Sequence, residues 1–227
     1  MTIPRSTFEA QMQHLTDDVL LLSSLVTEAV HRAMSALERM DSKASRQIIL
    51  ADQQVNAKRY QIENDVIVLI ATQQPVGRDV RMLAAVLEII TELERIGDYA
   101  KGICKIQLLL TEEDHLHLVI QDLKRMADMG LGMLEDALDA FINKDLIQAR
   151  EIPNRDDLVD QQYNRIRSRL ISMMLVDLPH AQSIDYLVWA AHNLERLADR
   201  VTNICERIIY VYSGEMKELD GSEQPPL

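Results

Sequence analysis

A short phrase that occurs twice limits the possible folds of this chain more than any other feature. Residues 92–105 return, with substitutions, at residues 193–206. The positions that are identical in both copies are Leu93, Glu94, Arg95, Asp98, Ile103 and Cys104, which return as Leu194, Glu195, Arg196, Asp199, Ile204 and Cys205. A repeat with a period close to half the chain indicates two copies of one structural unit. Two acids and an arginine return with the apolar residues, so the repeat carries candidate functional groups as well as core positions.

The two copies also match upstream of this phrase. Polar residues four apart recur there, and the matched pairs are Asp52 with Asp156 and Asn56 with Asp160. We therefore predict a first domain over residues 1–111, a second over 112–213, and a flexible tail over 214–227.

The composition predicts an all-α protein. Hydrophobic residues make up 47% of the chain, but aromatic residues make up only 4%, which is low for a sheet protein. Apolar residues spaced three and four apart predict amphipathic helices that pack in bundles. Six helices, three in each half, are predicted at about 6–40, 43–73, 78–110, 115–143, 146–176 and 180–213. Pro153 falls inside the fifth and predicts a kink or a short break. The fold class is therefore all-α, with two tandem pseudo-repeated three-helix bundles.

Charge and cysteine content exclude several classes of protein. The net charge of −12 argues against nucleic acid as a direct partner, because a negative surface repels phosphate backbones. No apolar run approaches the ~18 residues of a membrane-spanning helix, so no transmembrane segment is expected. The only two cysteines are the repeat-matched Cys104 and Cys205. They are interpreted as small buried side chains of a cytoplasmic protein, rather than as a disulfide framework.

The repeated acids are candidate metal ligands. Carboxylates at positions i and i+4 lie on one face of a helix and can converge on one cation. Such pairs occur in both halves, and the candidate ligands are Asp52, Glu94, Asp98, Asp156, Asp160, Glu195 and Asp199. Oxygen-only ligands suit hard cations such as Mg, Mn, Ca and iron, and zinc is also compatible. Among the histidines, only His192 lies near one of these pairs in the sequence, close to Glu195.

Two other interpretations of the acids stay open. In one, the chain is a metal-free helical adaptor, and the acids are surface groups with Arg95 and Arg196 as ordinary partners. In the other, the chain is a carboxylate-bridged di-iron oxidase, a class that needs Glu-x-x-His on two helices. Glu28 with His31 has this spacing, but the matched positions of the second half do not. No nucleophile is found together with a base, so the chain is not predicted to be an enzyme.

At these residues the sequence resembles the PhoU family of phosphate-signalling regulators, over almost its whole length. The motifs that carry the resemblance are 94–98 with Ile103-Cys104, 195–199 with 203–205, Asp52-x-x-Val55-Asn56 with Asp156-x-x-Val159-Asp160, and Gln74-Pro75 followed by 79–81. There are two departures. Ala198 stands where the first motif has Gly97, and His180 stands at the position that matches Asp79.

The resemblance implies a fold and a function. It implies two tandem three-helix bundles, with a multinuclear metal site (Fe, Zn, Mg or Mn) on the acidic motif of each half. It implies a negative regulator of the phosphate regulon and of high-affinity phosphate uptake. Its expected partners are the ATPase subunit of the phosphate ABC transporter and the phosphate-sensing histidine kinase. It also implies a homodimer at the cytoplasmic side of the membrane, associated with it through those partners.

Overall fold

A computed structural model describes residues 5–110, 117–215 and 219. Within that part of the chain the secondary structure is helical, with no strand. The helices are α1 (Arg5–Glu38), α2 (Ser42–Gln73), α3 (Arg78–Gln107), α4 (His117–Asn143), α5 (Leu146–Glu151), α6 (Asp156–Val176) and α7 (Ala181–Ser213). Short 3-10 turns at Ile152–Arg155 and Leu178–His180 precede α6 and α7.

The predicted fold class is confirmed. Helices α1, α2 and α3 pack on one another as the first bundle, and α4, α5–α6 and α7 form the second. The predicted fifth helix is broken as expected, because Pro153 lacks the N–H that a continuous helix needs and lies within the 3-10 turn between α5 and α6. The predicted tail, 214–227, falls largely outside the described residues.

The same turn leads into the second helix of each bundle. Met40 and Lys144 adopt left-handed backbone angles, with φ of 53° and 60°. Each is followed by an aspartate whose side chain caps the next helix. Asp41 accepts from the backbone N–H groups of Lys43 and Ala44, and Asp145 accepts from those of Ile147 and Gln148. Such caps satisfy N–H groups that would otherwise have no partner at the helix start.

Helices α3 and α7, which carry the repeated phrase, pack against each other at the centre of the molecule. Their inward faces are apolar and buried, and Cys104 and Cys205 are buried and free, as predicted. Burial raises the pKa of the two thiols to about 11 and about 12. Contacts between α1 and α4 join the bundles further, including an ion pair of 2.9 Å between Glu38 and Lys124. None of the described helices has an apolar stretch that could cross a bilayer.

Candidate functional site

Helices α2 and α3 bring the acids of the first half together. We call Asp52, Glu94 and Asp98 the first acid cluster. Asp52 is only 7% exposed because α2 lies close to α3, where a Cβ atom on Gly97 would come within 3.3 Å of Val55. The cluster thus lies at a tight helix–helix contact.

A lysine ammonium group lies between these acids. The Nζ atom of Lys101 lies 2.6 Å from Oδ2 of Asp52 and 3.4 Å from Oδ1 of Asp98. Asn56 also donates a hydrogen bond of 3.2 Å to Asp52. The bond to Asp52 raises the pKa of Lys101, which fixes the positive charge in place. The adjoining cavity, which Asp52 and Lys101 line, measures only about 80 Å³.

Positive charges also act on Glu94 from a distance. Burial raises the pKa of the Glu94 carboxyl, and the neighbouring Asp98 raises it further, whereas the charges of Arg59 and Arg95 oppose the shift. Arg59 itself forms an ion pair with Glu63 at 3.6 Å, so Lys101 is the cation that contacts the first acid cluster.

The acids of the second half meet at α6 and α7. We call Asp156, Asp160, Glu195 and Asp199 the second acid cluster. Burial raises the pKa of Asp156 to about 7, and the charges of the other three acids add to the shift. The pKa values of Asp160 and Glu195 are also raised, mainly by burial and then by Asp199. These four carboxylates therefore lie within electrostatic range of one another.

The second acid cluster opens onto a polar groove of about 530 Å³ between α3, α6 and α7. Oδ1 of Asp156 is buried and has no hydrogen-bond partner among the described residues. His192 is near Glu195, as the sequence suggests, with Nδ1 and Oε2 3.2 Å apart. Arg200 lies 3.9 Å from Asp199, but it forms a shorter ion pair with Glu92.

Three substitutions explain why the clusters differ. At matched positions of the repeat the first half has Asn56, Arg59 and Lys101, and the second half has Asp160, Tyr163 and Thr202. The second half therefore has one more acid and two fewer cations at these positions. Sequence reasoning missed the roles of Lys101 and Arg59 because it followed the positions that agree. The positions within the repeat that change charge were the available signal.

A buried carboxylate joins the two halves. Glu92 on α3 is 5% exposed and accepts hydrogen bonds from Arg200 at 3.2 Å and Asn203 at 3.3 Å, both on α7. Arg95 donates to the same carboxylate at 2.9 Å. Arg196 lies over the ring of Tyr99, 5.3 Å from its centroid. Arg95 therefore pairs with Glu92, an acid that sequence reasoning did not single out.

The structure also bears on the remaining candidates. Glu28 and His31 are both exposed on α1, so they do not project into a bundle core as di-iron ligands do. Asp79 lies in the first turn of α3, about 22 Å along the helix axis from Glu94, and does not join the first acid cluster. Within residues 5–110, 117–215 and 219, no three His, Cys, Asp or Glu side chains are arranged, as they stand, to hold a metal ion.

Comparisons with known proteins agree with this architecture. The model of the PhoU domain matches residues 19–107 and again residues 123–208. The chain is 35% identical to the phosphate-specific transport system accessory protein PhoU homolog of Clostridium acetobutylicum, over 95% of this chain and 99% of that protein. It is 31% identical to the phosphate-specific transport system accessory protein PhoU of Escherichia coli, over 95% of this chain and 90% of that protein.

A solved structure gives the same result. The crystal structure of the phosphate transport system regulatory protein PhoU from Streptococcus pneumoniae superposes with a TM-score of 0.85 at 30% identity. The match covers 93% of this chain and 100% of the other. The names of these proteins describe accessory and regulatory proteins rather than enzymes, in agreement with the prediction from the sequence.

Proposed function

The chain belongs to the PhoU family, and from that premise we propose that it is a negative regulator of phosphate uptake and of the phosphate regulon. It acts in the cytoplasm as an adaptor, as a homodimer, between the ATPase subunit of the phosphate ABC transporter and the phosphate-sensing histidine kinase. The observation that carries the proposal is the match of the PhoU domain to both helical bundles.

The surface of the protein supports an adaptor role. Large apolar side chains are exposed on α2, among them Leu50, Tyr60 and Ile67, and others are exposed at the end of α6, among them Leu175 and Val176. Tyr60 and Ile67 are seven residues apart and so lie on one face of α2, and apolar patches on a protein surface are typical of sites that bind other proteins. The net charge of −12 directs these contacts toward proteins rather than nucleic acids.

The proposal includes metal binding, and the carboxylate oxygens of the second acid cluster are the type of donor that hard cations prefer. Four carboxylates meet there, and one of them has a buried oxygen without a hydrogen-bond partner. Asp156, Asp160, Glu195 and Asp199 would hold the ion. A bound Mg, Mn, Fe or Zn ion would neutralise the carboxylates and offer coordination positions to oxygen ligands of a partner.

The regulatory part is tested in the cell. Deletion of the gene is expected to switch on a phosphate-starvation reporter in phosphate-rich medium, and the wild-type gene is expected to switch it off again. The tagged protein is expected to capture the transporter ATPase subunit from the same cells. An unchanged reporter in the deletion strain, with no ATPase captured, would overturn the proposed function.

The metal part is tested by replacing Glu94, Asp98, Glu195 and Asp199 with alanine. The variant is expected to lose all bound metal, measured by mass spectrometry, and to keep its helicity, measured by circular dichroism. The control replaces Glu135 and Asp139, exposed acids with the same spacing on α4. Retention of metal in the quadruple variant would contradict the proposed ligands.

A metal-free adaptor is the second candidate. The observation that favours it is that no described group of side chains is arranged to hold an ion as it stands. Wild-type protein that contains no metal and still captures the ATPase subunit would support this alternative.

A further inference from the structure

We propose that Lys101 acts as a built-in counter-ion that takes the place of a metal ion in the first half, so that only the second half of the chain loads metal. This inference rests on the proposed function, since it concerns which of the two acid clusters the metal occupies. One position of the repeat then decides whether a cluster holds an internal ion pair or a metal ion. This position is residue 101 in the first half and residue 202 in the second.

The first step of the argument is the position of the ammonium group. Nζ of Lys101 lies 2.6 Å from Asp52 and 3.4 Å from Asp98, so it holds one acid from each of the two helices that form the cluster. An ion that used both acids would have to displace Lys101. The displaced ammonium group would then lose a contact with a carboxylate that is only 7% exposed.

The second step is the balance of charge. Lys101 bonds to two of the three acids of the first acid cluster, and the charges of Arg59 and Arg95 act on the third, Glu94. An added divalent ion would be repelled by the ammonium group of Lys101 and by these two arginines. The adjoining cavity of about 80 Å³ is also bordered by Lys101.

The third step is the contrast at the matched position. Thr202 lies on α7 where Lys101 lies on α3, and it lines the groove together with Asp156 and Asp199. Its hydroxyl is buried and has no hydrogen-bond partner among the described residues. No ammonium group from this position reaches the second acid cluster. Arg200 lies closer to Glu92 than to Asp199, and His192 contacts Glu195. The space that a cation fills in the first half is therefore left to an exogenous ion in the second.

The test exchanges the two matched residues and measures bound Mn²⁺ by mass spectrometry and electron paramagnetic resonance. Lys101→Thr is expected to bind about twice as much Mn²⁺ as the wild type, because both acid clusters then lack the internal cation. Thr202→Lys is expected to lose nearly all of it. Lys105→Thr, the same change of charge at an exposed site one turn further along α3, is the control and should leave the metal content unchanged.

A second set of variants keeps the test valid if Lys101→Thr does not fold. In the otherwise wild-type protein, Asp156→Asn is expected to lower bound Mn²⁺ at least tenfold, and Asp52→Asn is expected to leave it unchanged. Equal losses from the two variants would overturn the inference while leaving metal binding in place.

If the wild type binds no Mn²⁺, the metal part of the proposed function fails. A gain of Mn²⁺ by Lys101→Thr would then still support the role of Lys101, and no gain would overturn it.

Discussion

The two acid clusters occupy equivalent positions in two copies of one helical unit, yet the aspartate on the first helix of each pair has a different electrostatic environment. In the first, Asp52 is buried against the ammonium group of Lys101 at 2.6 Å. In the second, Asp156 is surrounded by three further acids, and its pKa is raised to about 7. The matched residues lie on facing helices in both halves, α2–α3 and α6–α7, although α2 runs unbroken through Asp52 and α6 begins at Asp156. The side chains at the matched positions differ as well, above all Lys101 and Thr202.

This comparison shows how a duplicated fold can acquire two separate properties. The apolar residues that build the bundle are constrained in size and position, because they must fill the space between the helices. The polar positions beside the helix contact can change more freely, and three substitutions there separate an ion-paired cluster from a set of repelling carboxylates. The first acid cluster then includes an ion pair between its helices, while the second keeps carboxylates whose charges oppose one another.

The largest expected effect concerns Glu92, where the two halves meet asymmetrically. Glu92→Ala should lower the free energy of unfolding by about 3 kcal/mol, because it leaves Arg200, whose side chain is 17% exposed, without its closest carboxylate. Asn193 occupies the matched position on α7, and Asn193→Ala serves as the control, with an expected loss of about 1 kcal/mol. Urea unfolding measures both. Equal losses of stability in the two variants would show that Glu92 and Asn193 contribute equally to the contact between the halves.

The next effect has opposite signs in the two halves. Asp52→Asn should destabilise the protein by about 2 kcal/mol, because Lys101 loses its buried partner. Asp156→Asn, the same change at the matched position, should stabilise the metal-free protein by about 1 kcal/mol at pH 8, because it removes one of four repelling charges. Thermal unfolding with a chelator present measures the two changes. A loss of stability in both variants would contradict the conclusion that the two acid clusters differ in their electrostatics.

A dependence on pH follows from the raised pKa of Asp156. In the unfolded chain this carboxyl releases its proton near its usual value of 3.8, but in the folded protein it does so near pH 7. The stabilisation is therefore complete below about pH 4 and is lost as the pH rises through 7. We expect the metal-free protein to lose about 1–2 kcal/mol of stability between pH 5 and pH 8.

The matched variants isolate this effect from the titration of the histidines. Asp156→Asn should flatten the dependence of the unfolding free energy on pH, whereas Asp52→Asn should leave it as steep as in the wild type. Urea titrations at several pH values in the presence of a chelator measure the slopes. A wild-type profile that is already flat would show that the second acid cluster is not strained by its charges.

Much of the fold could be predicted from the sequence. Apolar residues three and four apart indicate the helices of both bundles, and Pro153 marks the break between α5 and α6 because its effect on the backbone is local. Cys104 and Cys205 were correctly interpreted as buried because they lie on the apolar faces of α3 and α7. These features depend on spacing along one chain segment, which a sequence displays directly.

The candidate site was less predictable. Spacing shows that Glu195 and Asp199 share a face of a helix, but not which cation from the same bundle reaches them. The ion pair between Lys101 and Asp52 joins two helices, so it depends on how far α2 is shifted along α3 and on the rotamer of a long side chain. The pairing of Glu92 with Arg200 depends in the same way on the packing of the two halves.

The smallest expected effect tests whether the backbone frame is as alike in the two halves as the comparison requires. Gly97 and Ala198 occupy matched, buried positions beside the acid clusters. Ala198→Gly should destabilise the protein by about 1 kcal/mol, since glycine is a poorer helix former than alanine.

Gly97→Ala gains a similar amount from helix propensity, but its Cβ would lie 3.3 Å from Val55, so the net change should stay below about 1 kcal/mol. Urea unfolding measures both variants. A loss above about 2 kcal/mol for Gly97→Ala would mean that α2 and α3 pack more closely than α6 and α7, and that backbone packing as well as Lys101 separates the two acid clusters.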